Sequence, residues 1–176
     1  VYGILRFAMP LAPAAAVEFS WLLSVFGAAT LIYGALIALQ QTNLRRLLAY
    51  ASVSHVGLVV VGIASLNMQG VQGAIFQLLN FTLVASSLML IAKFIQHRLG
   101  STDTVHLGGM AKVMPKLTCF YFLFALASFG VPGTSGFPAE LLMIVGALTS
   151  HGFFGAAALA GAILGAAYML IFTMLR

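Results

Sequence analysis

The chain has 176 residues, of which 62% are hydrophobic and only 6% charged, and its net charge is +5. Soluble domains carry about 25% charged residues, so this composition excludes an ordinary water-soluble domain. A mean hydropathy of +1.10 defines an integral membrane protein.

Apolar stretches of about twenty residues fit helices that cross a bilayer. Alternating strands of about ten residues, the pattern of a membrane β-barrel, are absent. The expectation is an all-α, polytopic transmembrane helix bundle. Val1–Phe7 is apolar from the first residue, without a basic leader or a small-residue cleavage site. It reads as the tail of a helix whose start is missing, and the chain as a fragment of a longer protein.

In chain order, residues 1–11 end one span, closed by Pro10 and Pro13. Residues 17–40 form the next, and Gln41-Thr42-Asn43 a short polar loop. Residues 44–66 are a third helix, ended by Asn67-Met68-Gln69-Gly70, and residues 71–95 a fourth. The longest polar loop covers 97–115. A fifth helix starts at Lys116 and runs to Phe129. It is interrupted over 130–136 by Gly130, Pro132, Gly133 and Gly136, with Pro138 just beyond, and resumes over 137–148. The last span is 152–175. The whole chain is thus one partial transmembrane domain: about five full spans plus the end of a sixth, one of them discontinuous.

Arg45 and Arg46 lie between the second and third spans. Lys93, Arg98, Lys112 and Lys116 surround the loop between the fourth and fifth, and Arg176 closes the last span on that side. Loops 67–70 and 149–151 carry no Lys or Arg, and Arg6 is the one exception to the asymmetry. The positive-inside rule puts loops 41–46 and 96–115 in the cytoplasm or its equivalent. This explains the basic charge without a nucleic-acid partner.

Ionisable residues at depth are the informative ones, because a charge at the bilayer centre costs at least about 2.5–3.5 kcal/mol on insertion scales. Glu140 is one of only three acidic residues, and it stands just after the break. Broken helices are tolerated where their backbone is covered by protein or lines a cavity. In transporters they present free helix ends to the transported ion. The N–H groups of the second half-helix favour the carboxylate, while burial favours the neutral acid. Such opposed terms suit a group that loads and releases a proton. The alternative is a structural glutamate paired with a Lys or with backbone.

His55 lies about eleven residues into its helix, roughly 16 Å deep at 1.5 Å per residue. Imidazole both accepts and donates near neutrality, so His55 is either a relay residue or a satisfied core histidine. Gln77, Asn80 and Ser87 share helical spacing on the fourth span and can hold water, though they do not titrate. Tyr2, Tyr33, Tyr50 and Tyr121 read as packing or interface anchors, and Lys93 as a snorkelling residue. His97, His106 and His151 are loop residues without metal-ligand spacing, so no metal site is expected. Cys119, the only cysteine, excludes an internal disulfide, a cysteine-ligated iron–sulfur cluster and a thiolate zinc site. Asn80-Phe81-Thr82 matches a glycosylation sequon by chance, inside an apolar helix. Gly161-Ala-Ile-Leu-Gly165 reads as close helix packing or as a contact face for another subunit.

The stretches "QTNLRRLLAYASVSHVG" (41–57), "GAIFQLLN" (73–80), "LGGM" (107–110) and "ASFGVPGTSGFPAEL" (127–141), in this order, together with the opening "YGILRF", resemble the antiporter-like membrane subunits of respiratory complex I. Relatives occur in Mrp-type cation/proton antiporters and membrane-bound hydrogenases. The resemblance covers essentially the whole chain. It implies a fourteen-helix parent, of which this chain holds about the eighth to thirteenth helices. Glutamate at position 140, where relatives usually have lysine, makes the chain most similar to the chain M (chain 4) type. The resemblance further implies that Glu140 is the terminal proton residue of a half-channel and His55 a relay on the central axis.

Three departures stand out. Phe81 occupies the place of a second family histidine. Asn43-Leu44-Arg45-Arg46 replaces the usual Asp-x-Lys-Arg. The family's membrane lysines fall before Val1. The implied function is a proton-translocating subunit of an NADH–quinone oxidoreductase, in the bacterial inner membrane or its organellar equivalent, among other membrane subunits and lipid. NADH, FMN, iron–sulfur clusters and quinone would belong to other subunits. The rivals are an Mrp-type antiporter or hydrogenase subunit, and a degenerate scaffold that conducts nothing.

Overall fold

The computed structural model describes residues 1–103, 112 and 114–174. His106 and the 107–110 motif lie outside the described residues. A π-helical turn, Ile4–Ala8, opens the chain. It is followed by α1 (Met9–Leu11), α2 (Pro13–Glu18), α3 (Ser20–Leu39), α4 (Leu44–Ala64), α5 (Met68–Leu99), α6 (Pro115–Ser128), α7 (Gly136–Ser150) and α8 (Gly152–Met174). The helices α3, α4, α5 and α8 are long and apolar enough to cross a membrane, and α6 and α7 are shorter apolar helices. The chain is an all-α, polytopic bundle with one broken helix.

Three boundaries differ from the sequence expectation by three residues or more; the fourth span, expected from residue 71, already begins at Met68, directly after its cap Asn67. The span expected from residue 17 begins at Ser20, because Pro13 starts a separate short helix and Phe19 leaves helical geometry at φ −94°, ψ 7°. The span expected to end at residue 95 continues through His97 and Arg98 to Leu99, where Gly100 caps it at φ +75°. Apolarity marks the bilayer; the helix itself runs on into the polar boundary until a residue tolerant of positive φ ends it.

Helix α4 is central. It packs against α3, α5, α7 and α8, and 67% of its apolar stretch is buried, against 33–39% in the other three long spans. The tightest pairing is α3 on α4. A methyl at Gly57 would lie 2.5 Å from the Leu31 nitrogen and 2.8 Å from the Gly27 oxygen. Bare backbone is thus what lets these helices touch, the usual packing device in membranes.

The apolar interior falls into two clusters. One holds Leu44, Leu47, Leu48 and Ala51 of α4 with Leu88, Ile91 and Ile95 of α5. The other holds Leu58, Val59, Val61 and Ile63 of α4 with Leu31, Ala74 and Met143. Between them along α4 lie Ser54 and His55, and along α5 lie Gln77 and Asn80, all buried. A polar layer therefore crosses the bundle between two apolar slabs.

Hydrogen bonds close the loops at each end. At the basic end, Asn43 caps α4 by accepting from the Arg45 N–H, and its amide donates to Asp103 at 2.7 Å. At the other end, Asn67 caps α5 and its amide donates to the Gly146 carbonyl at 2.7 Å. The turn between these two helices includes Leu66 at φ +53°, a left-handed conformation that costs a non-glycine residue roughly 1–2 kcal/mol.

Candidate functional site

The break is built by its local chemistry. Helix α6 stops at Ser128, whose hydroxyl donates to the Ala125 carbonyl at 2.7 Å. Gly130 and Gly133 then take φ +60° and +101°. Thr134 folds the link into a turn, its N–H and hydroxyl both donating to the Val131 carbonyl. Helix α7 starts at Gly136, where a methyl would lie 2.6 Å from the Ala127 oxygen. Pro138 falls in the first turn of α7, where a backbone N–H has no intrahelical acceptor to lose. The C-terminal carbonyls of α6 therefore meet the start of α7 inside one interrupted span.

Glu140 is buried just past that first turn, only 9% exposed. Its carboxyl folds back onto the break: a methyl at Gly130 would lie 2.6 Å from Oε2. Positive φ restricts position 130 to glycine, and the Glu140 carboxyl occupies the space a side chain there would take. The Gln77 amide of α5 lies beside the carboxyl, fully buried, yet neither of its polar atoms has a hydrogen bond of standard geometry. Asn80, one turn further along α5, accepts from the Ser135 hydroxyl at 2.5 Å and so pins the break to α5.

His55 is 7% exposed, and its ring lies 4.8 Å from that of Phe81, tilted by 37°. A cavity flanks the histidine on each side. The first, about 10 Å³, is lined by His55, Phe81, Ser52 and Ser128 among apolar neighbours. The second, also about 10 Å³, is lined by His55, Ser54, Glu140, Gly165 and Tyr168 together with apolar groups. Each has room for about one water. The structure thus brings His55 and Glu140, eighty-five positions apart in sequence, onto one cavity.

The three polar residues of α5 separate. Gln77 reaches Glu140 and Asn80 reaches the break, but neither lines the cavity that His55 and Glu140 share. Ser87 lies elsewhere: its hydroxyl donates to Leu83 in its own helix, and it borders an outward groove with Phe94, Lys116 and Phe120. Of the glycine pair on α8, Gly161 receives the Leu31 side chain of α3 and Gly165 lines the shared cavity, so both serve the interior of this bundle. Ser54, Ser128 and Tyr168 were not legible as site residues. The available signal was that Tyr168 follows Gly165 by three positions, one helical turn, which leaves the phenol room to turn inward. Among the described residues, no group of three or more His, Cys, Asp or Glu is placed to hold a metal.

This arrangement defines a class: polytopic membrane proteins built around a discontinuous helix, with an acid and an imidazole in the interior. The family described as NADH:quinone oxidoreductase/Mrp antiporter, TM, matches residues 1–165, and the chain belongs to it. It is 39% identical over 169 residues to NADH-quinone oxidoreductase subunit M of Rickettsia typhi, which covers 96% of this chain and 34% of that protein. Among solved structures, it superposes on a chain of respiratory complex I from Thermus thermophilus with a TM-score of 0.94 and 32% identity, over 98% of this chain and 37% of that one. A chain of the Mrp complex from Dietzia sp. DQ12-45-1b gives a TM-score of 0.83 and 32% identity, over 88% and 29% respectively. The chain spans about a third of the length of the relatives it matches.

Proposed function

We propose that this chain is the conducting core of a proton-translocating membrane subunit of a complex I-type NADH–quinone oxidoreductase, in which His55 and Glu140 exchange protons through buried water. The observation that carries the reading is their shared cavity in the polar layer. A protonatable imidazole and carboxyl facing one water-sized space can pass a proton over a short distance without exposing charge to lipid. Redox chemistry, with NADH, FMN, iron–sulfur clusters and quinone, belongs to other subunits. The partners are the other membrane subunits of the assembly and the surrounding lipid.

The reading includes a membrane: the bacterial inner membrane or its organellar equivalent, with loops 41–46 and 96–115 cytoplasmic. The Asn43–Asp103 hydrogen bond supports placing those two loops on the same side. An Mrp-type cation/proton antiporter subunit is the second reading, favoured by the similarity to the Mrp complex chain. Sodium-dependent transport by the assembled protein would select it. The scaffold reading draws on Phe81, which faces His55 with a ring that cannot carry a proton.

The test is Glu140→Gln in the full-length subunit, within the intact complex in vesicles. The amide keeps size and hydrogen bonding and removes titration. Pumping per electron falls about tenfold or more while assembly is retained. Unchanged pumping per electron rejects the role assigned to Glu140 and favours the scaffold.

A further inference from the structure

Phe81 lines the cavity on one side of His55, and only the cavity on the other side reaches Glu140. The cavity on the Phe81 side is bounded by Leu48, Val84, Leu88 and Met89 as well as by Ser52 and Ser128, and Glu140 does not reach it. Four residues with polar side chains line the cavity on the α8 side: Ser54, His55, Glu140 and Tyr168. Ser54 is 3% exposed and Tyr168 only 1%. The Ser52 hydroxyl is spent on the Leu48 carbonyl at 2.8 Å; no such bond occupies Ser54 among the described residues. Tyr168 and Glu140 line the same cavity, and the Tyr168 hydroxyl stands 3.9 Å from where a methyl at Gly165 would lie. A buried water needs two to four polar partners, and this cavity supplies four.

From this geometry we infer that Ser54 and Tyr168 are positioning residues that hold a single water between His55 and Glu140, giving the chain a route on the α8 side in place of one through position 81. The inference rests on the proton-transfer reading of His55 and Glu140. The step balances without a co-reactant. The imidazolium N–H breaks as a bond forms to the water oxygen. One of that water's own O–H bonds breaks as a bond forms to a Glu140 carboxylate oxygen. The imidazole ends neutral, the carboxyl protonated, and the water, serine and tyrosine unchanged. The Ser54 and Tyr168 hydroxyls fix the water's orientation, so each transfer finds donor and acceptor already aligned.

Three variants of the full-length subunit in the intact complex test this, each reconstituted in vesicles and assayed for pumping per electron. Tyr168→Phe removes one hydroxyl and keeps the ring, and pumping falls about fivefold, the value of one lost hydrogen bond. Gly165→Ala adds a methyl whose nearest neighbour stands at an ordinary contact distance, so the bundle folds while the space for water shrinks, and pumping falls likewise. The infrared C=O band of protonated Glu140 supplies a readout that a merely structural role would not move: it shifts to higher frequency in both variants as the carboxyl loses its water. Glu140→Gln runs alongside. If it stops pumping while the other two pump normally with an unmoved carboxyl band, the water bridge is overturned and the role of Glu140 stands. If Glu140→Gln itself pumps normally, the proton-transfer reading falls and the bridge with it.

Discussion

The two polar systems of this bundle are built from similar residues and are organised in opposite ways. At the loop end near residues 65–70, Asn67 donates to the Gly146 carbonyl, to Thr149 and to Ser150. It also accepts from the Gly70 N–H and the Ser65 hydroxyl, and Ser150 closes the circuit on the Ser65 carbonyl at 2.6 Å. In the middle of the bundle, Gln77 is fully buried with neither amide atom in a standard hydrogen bond, and Glu140 and His55 face small cavities. A saturated network stabilises one geometry; an incomplete one leaves capacity for water and for exchange of protons. Residue type alone would class both as buried polar clusters. Their degree of saturation separates a structural clasp from the layer proposed to conduct protons.

Substitutions put this contrast to the test. The largest effect belongs to Gly130→Ala, the position where geometry and chemistry coincide. The new methyl meets Oε2 at 2.6 Å in a backbone of φ +60°. The variant loses about 2–4 kcal/mol of stability in thermal unfolding of the purified full-length subunit, and pumping per electron collapses with it. Asn67→Ala comes next. It removes a helix cap and leaves the Gly146 carbonyl short of a donor, a loss of about 2–3 kcal/mol, while pumping per electron in assembled complex stays at the native value. A fall in pumping would mean that the clasp and the conducting layer are one system. Gln77→Leu is the mirror image. Stability changes by no more than about 1 kcal/mol, because no well-formed hydrogen bond is lost. Pumping falls about twofold to fivefold as Glu140 loses its polar neighbour. A large destabilisation by Gln77→Leu would show that the amide is satisfied in the assembled subunit, and the contrast would fail.

The spans were legible because apolar length is a direct requirement of the bilayer, and the break because Gly130, Pro132, Gly133 and Gly136 cluster where an apolar run should continue. Glu140 was legible for the same reason: a carboxyl at that depth needs an explanation. Ser87 shows where periodicity stops informing. It lies seven residues, two turns, beyond Asn80 and so on nearly the same face of α5. Yet the neighbour at Asn80 is the start of α7, whereas at Ser87 it is the outer side of α6. Spacing specifies a face, and the packing partner along that face changes with depth. Tyr168 and Ser54 were hidden by the converse problem. Hydroxyl residues are common in membrane helices, and only the crossing of α8 over α4, set by contacts more than a hundred positions apart, turns these two toward Glu140.

Helix α5 has 32 residues, about 48 Å at 1.5 Å per residue, and so exceeds a hydrocarbon core of about 30 Å. One continuous rod therefore begins at the Asn67 clasp, meets the break through Asn80 and Ser135, and runs on through the polar residues His97 and Arg98. The link that carries Gly130, and with it the Glu140 carboxyl packed against that glycine, is thereby tied to the longest helix of the chain rather than to a loop.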